Sequence, residues 1–217
     1  MELIASTTER TTAVTDLVLA LAAITAVVAL GRRAAPSFAR HVWQAALLSA
    51  AAGAALGAVA HGLVLSTETR ELLWQPLFLL LGVTVSLFVV GAVASWRGGA
   101  TAGRLLPPMM ILALLFYLAT RLTGGDFLVF VLFQAGTLLF ALAVYLRLGA
   151  QGTRGAGLVA AGLAVTLAAG AVQAMDDLQV TLVWPFDHNG IYHLVQLVGL
   201  AVLTWGLTRV LPPAPAG

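Results

Sequence analysis

The chain has 217 residues, 60% of them hydrophobic and 9% charged, a balance foreign to a water-soluble domain. It contains no cysteine and no lysine, which excludes disulfides, thiolate nucleophiles and cysteine-based metal sites. Its formal net charge of +2 comes from arginines scattered between apolar runs, not from a basic stripe, so nucleic acid is not an expected partner.

Residues Met1 to Thr12 lack the basic stretch of a secretion signal, so the first apolar run, about 12–31, reads as a retained helix. Runs near the length that crosses a bilayer follow at about 41–63, 74–96, 105–121, 127–148, 156–175 and 188–210. The second carries a ladder of small residues, Gly53 and Gly57 below His61. Small residues every fourth position allow close helix approach, and Gly57 leaves room beside the imidazole. The fourth run opens on Pro107 and Pro108. The glycine-rich segment from Gln151 to Gly157 has no strand before it and is an inter-helix turn rather than a phosphate cradle. The sixth run leads through Gln173 to Asp176 and Asp177, and Asp187 stands where it can cap the seventh. The expected fold is therefore all-α, a single seven-helix transmembrane domain over residues 1–217.

Counting loops alternately sorts the charge. All nine acids fall on the side where the chain begins, with Arg10, Arg70 and Arg121, and the other eight arginines fall opposite. Basic residues in short loops favour the cytoplasmic side, which sets the N-terminus outside and the C-terminus inside a plasma (inner) membrane. Trp74 and Trp184 then lie at the outer interface, and Trp43, Trp96 and Trp205 at the inner one.

Candidate chemistry gathers at the acidic end. His61 closes the second helix, His188 and His193 open the seventh, and Asp16, Asp126, Asp176 and Asp177 lie at similar depth. Ionisable groups at membrane depth mark a functional site or an internal partner. Three imidazoles with an open fourth position suit zinc, so His61, His188 and His193 are candidate ligands. Asp176 or Asp177 is the candidate general base or orienting carboxylate, with Glu68 and Asp126 as further candidates. Glu2, Glu9, Glu68 and Glu71 also read as solvated loop charges.

A histidine closing helix two and a histidine pair opening helix seven resemble the superfamily of alkaline ceramidases and progestin and adipoQ receptors, often called CREST. The resemblance implies a zinc-dependent hydrolase acting on a lipid amide within the bundle, with His61, His188 and His193 as zinc ligands. Three features depart from that pattern. Gly57 occupies the serine position of the helix-two motif, helix three has no aspartate, and the helix-seven histidines are spaced five rather than four. The spacing places the two rings about 140° apart on an ideal helix.

Four functions follow as expectations. The first is a zinc-dependent hydrolase cleaving an amide or ester in a lipid-like substrate drawn from the membrane. The second is a non-catalytic sensor or ligand-binding protein using the same pocket. The third is a proton-coupled carrier with Asp16, Asp176 and His61 as relay groups, and the fourth a haem protein ligated by His61 and His193.

Overall fold

The computed structural model describes residues 2–125 and 127–215. Seven helices carry the chain: α1 Thr7–Arg33, α2 Phe38–Gly62, α3 Thr67–Arg97, α4 Gly99–Leu122, α5 Phe127–Ala150, α6 Ala156–Gln173 and α7 His188–Val210. Each contains a window long and apolar enough to cross a membrane. The expected spans all recur, most of them extended at their ends. Helix α1 starts at Thr7 because Ser6 accepts a hydrogen bond from the Glu9 amide, in a Ser-Thr-Thr-Glu capping pattern. Helix α4 starts at Gly99, before Pro107 and Pro108, which lie inside it; proline is tolerated within membrane helices when neighbours satisfy the freed carbonyls.

The fold is not purely helical. A small antiparallel hairpin, β1 Gln179–Thr181 and β2 Pro185–Asp187, joins α6 to α7. Its apolar tip, Leu182, Val183 and Trp184, is exposed. The hairpin is tied to α1, whose Thr11 hydroxyl donates to the Pro185 carbonyl at 2.8 Å. Asp187 caps α7 as its position predicts, accepting from the Gly190 amide at 2.9 Å and from the Thr12 hydroxyl at 2.8 Å. One carboxylate thus ends the hairpin, starts α7 and holds α1. Asp187→Ala is expected to lower unfolding stability in detergent by about 1–2 kcal/mol, and Asp187→Asn by less. A loss below about 0.3 kcal/mol for alanine would show that the cap is dispensable.

Helices α1, α2, α3, α5, α6 and α7 form a closed ring, each packed on the next, while α4 leans on α3 from outside. The half of the ring away from the N-terminus is filled. Trp43, Tyr145, Leu30, Leu163 and Leu207 are fully buried there, and Trp43 packs on Phe88 with ring centroids 5.0 Å apart. The outward faces are apolar too. Leu17, Leu21, Ile24 and Val28 form an exposed ridge along α1, a surface suited to lipid rather than water.

The tightest seam joins α6 and α7. A Cβ on Gly162 would lie 2.6 Å from the Leu203 amide nitrogen, and one on Gly206 would lie 2.5 Å from that of Val159. Backbone thus meets backbone at two levels of this pair, the close approach that small residues permit. The seam fixes α7, and with it the residues that α7 presents to the interior.

Candidate functional site

Toward the N-terminal end the ring holds a cavity between its helices. All six ring helices line it, and α4 contributes nothing. Its floor is apolar, with Leu19, Leu47, Phe88, Leu138 and Leu203 among the lining residues. Polar groups lie midway along it, with Thr84, Gln134 and Thr166, and nearer the N-terminal end. Asn189, His193 and Gln196 descend from the start of α7, with Gln196 about 12 Å along the helix at 1.5 Å per residue.

Two acid–histidine pairs meet in this space. His193 Nε2 lies 3.2 Å from Asp16 Oδ1, and its Nδ1 lies 3.0 Å from the Thr15 hydroxyl. The Thr15 hydroxyl itself donates to the Thr12 carbonyl at 2.9 Å, so each ring nitrogen of His193 has an oxygen neighbour. His61 Nδ1–H donates to Glu9 Oε2 at 2.7 Å, and its ring stands edge-on to Trp74 with centroids 5.8 Å apart. Glu9 and Asp16 are seven residues apart on α1, two turns along one helix face. Asp16 also lies within electrostatic range of His61.

Gly57 explains how the pairs fit together. A Cβ at that position would stand 2.7 Å from Asp16 Oδ2 and 2.9 Å from its carboxyl carbon. The space beside His61 that the glycine ladder predicts is therefore taken by the Asp16 carboxylate. Gly57→Ala is expected to push Asp16 from His193 and cost about 1–3 kcal/mol of stability as overpacking. Unchanged unfolding in detergent would refute this account of Gly57.

Three buried acceptors in the cavity lining have no partner among the described residues: Asp16 Oδ2, Gln173 Oε1 and Gln196 Oε1. Each amide nitrogen makes one hydrogen bond, Gln173 Nε2 to Asn189 Oδ1 and Gln196 Nε2 to the Thr166 hydroxyl at 3.3 Å. A second cavity adjoins the first and shares His61, Trp74, Gln173 and Asn189 with it. Glu71 on α3 and Arg121 on α4 also line this vestibule.

The structure brings His61 and His193 to one cavity, as expected, but His188 lines neither cavity. The five-residue spacing explains this, since the two rings of α7 point in different directions. Asp176 and Asp177, the candidate bases, are exposed in the turn after α6 and line neither cavity. Glu68 is likewise exposed, and Asp126 lies outside the described residues. The carboxylates that face the histidines are Asp16 and Glu9, and Glu9 is no free loop charge. Its signal is the capping pattern from Ser6, which starts α1 early enough to bring Glu9 onto the helix. Thr15, Tyr192 and Gln196 also belong to the site, and none has a sequence motif to mark it.

The donor set does not fit zinc. Among the described residues no group of three His, Cys, Asp or Glu side chains is arranged to hold a metal ion. His193 has both nitrogens occupied, and His61 retains only Nε2. Elemental analysis of gently purified protein is expected to give well below one zinc per chain, unchanged by His61→Ala. About one zinc per chain, lost in both His61→Ala and His193→Ala, would overturn that expectation.

No curated protein and no solved structure matches the chain. A family model does match it over residues 11–212, and the chain belongs to that family, a family of unknown function (DUF6962).

Proposed function

We propose that this protein is a membrane sensor that holds a lipid-like amphiphile inside its helix ring, head group toward the N-terminal end and chain toward the apolar floor. The observation that carries this reading is the polarity gradient of one cavity. Ligand pockets are mostly apolar with a few convergent polar groups that fix orientation, and this cavity separates the two along its length. The acid–histidine pairs anchor α1 to α2 and to α7 at the level of the head group. A ligand that engages them changes contacts between three helices, and differential contacts are what shift a helix equilibrium.

The arginine count supports a topology for this reading. With eight arginines opposite the N-terminal end and three beside it, that end faces outward, and the cavity opens toward the outer leaflet of a plasma membrane. The absence of cysteine makes the topology easy to test. Asp177→Cys is expected to react with an impermeant maleimide on intact cells, and Gln151→Cys only after lysis. The reverse pattern would invert the topology.

Binding is tested by mass spectrometry of protein released from its native membrane. Wild type is expected to retain an intact amphiphile that Ala50→Phe, which adds a ring to the cavity wall, does not. Equal lipid content in the two proteins would sink the binding reading. Cleaved products accumulating with wild type alone would replace a sensor with a hydrolase.

A further inference from the structure

At the end of the bundle opposite the cavity, two arginines share one indole. Trp96 and Arg97 close α3, and the Arg97 guanidinium carbon lies 4.1 Å from the centroid of the Trp96 ring. Arg147, in the last turn of α5, brings its guanidinium to 5.6 Å from the same centroid. Attraction to the ring face favours both positions. The level of α5 against α3 is fixed beside them, where the Ser95 and Tyr145 hydroxyls meet at 2.9 Å. Two cations so close to one centroid lie within about 10 Å of each other, about one screening length in 0.1 M salt, and they repel. No carboxylate of the chain offsets that repulsion. Residues 72–125 and 127–175, which carry both arginines, contain no acid. The ion pairs among the described residues, His61–Glu9 and His193–Asp16, both belong to the site at the other end. Trp205 shows the simpler arrangement, with Arg209 alone over its ring at 4.3 Å.

We infer that the arginine pair on Trp96 binds the phosphate head group of an anionic lipid in the leaflet at that end. Phosphate oxygens match guanidinium forks through paired N–H···O bonds, and basic sites between helices on the arginine-rich side suit acidic lipid heads. Both arginines are exposed, and each ends an apolar span, so a head group held at their level leaves its chains in the bilayer. A zwitterionic phospholipid brings the same phosphate with a cation that the arginines repel. This site lies apart from the cavity, and it stands whether or not the cavity holds an amphiphile.

Delipidated protein in a non-ionic detergent is titrated with dioleoylphosphatidylglycerol or dioleoylphosphatidylcholine, and bound lipid is counted by native mass spectrometry. Wild type is expected to bind its first phosphatidylglycerol at least about tenfold more tightly than phosphatidylcholine. Arg97→Gln with Arg147→Gln is expected to lose that preference. Arg32→Gln with Arg104→Gln, which removes the same charge from the same end, is expected to keep it. All four side chains are exposed, so both double variants are expected to fold. Excess inorganic phosphate is expected to leave the lipid bound. Equal loss of preference in the two double variants overturns the site and assigns the preference to diffuse charge. Displacement by inorganic phosphate overturns the lipid as the source of the head group. No preference in wild type overturns the inference without recourse to any variant.

Discussion

Replacing Gly206 or Gly162 with leucine is expected to prevent the ring from closing, with loss of monodisperse protein on size-exclusion chromatography in mild detergent. The reason lies in what the added atoms would meet. At Gly206 a Cβ alone comes within 2.5 Å of the Val159 amide nitrogen, and at Gly162 within 2.6 Å of that of Leu203. Side chains relieve such contacts by changing rotamer, whereas a backbone amide in a helix moves only with its helix. Even Gly206→Ala forces α6 and α7 apart, and is expected to cost at least about 3 kcal/mol, the upper end for overpacking. The separation would also carry α7 away from α1 and pull His193 from Asp16. Gly136→Ala is the control, since nothing lies within 4 Å of a Cβ there. It is expected to be neutral or to stabilise α5 by up to about 1 kcal/mol through helix propensity. Wild-type behaviour of Gly206→Ala in the same detergent would show that α6 and α7 are not held by this seam.

The helices are legible in the sequence because each needs only a long apolar run, a property of consecutive residues. The ring order is not, because helices that are apolar all round do not say which neighbours they take. That α4 stands outside the ring follows from packing that no single segment records. Within the site, His61 and His193 stand out as imidazoles at the ends of apolar runs, and Asp16 as a carboxylate inside one. Their pairing depends on helix rotation. Asp16 meets His193 because α1 and α7 are neighbours, and it fits because Gly57 of α2 has no side chain there. The zinc expectation counted three histidines at one depth. Depth is a one-dimensional property, and His188 shares it without sharing the cavity. Asp176 and Asp177 drew attention by adjacency to an apolar run, yet they follow the end of α6 and face outward. Glu9 was obscured for the opposite reason, since a capped first turn turns a loop charge into a helix-face residue.

His193→Leu is expected to destabilise the protein by on the order of 3–5 kcal/mol, the cost of breaking a buried pair from one side. The imidazole is the sole partner of Asp16 Oδ1 among the described hydrogen bonds and ion pairs, and Oδ2 has none. Its removal therefore leaves a carboxylate, 4% exposed, with neither oxygen met. The penalty belongs to the stranded charge rather than to the lost contact, and this gives a second, sharper expectation. Asp16→Asn combined with His193→Leu removes the charge while preserving the shape that fills the space over Gly57. The double variant is expected to be more stable than His193→Leu alone by about 2 kcal/mol, a coupling within the range seen for contacting residues. Unfolding in detergent monitored by tryptophan fluorescence measures both. A His193→Leu protein within about 0.5 kcal/mol of wild type, the usual span of a surface substitution, would mean that Asp16 is not a buried charge. A double variant as unstable as the single one would assign the cost to lost packing of the imidazole.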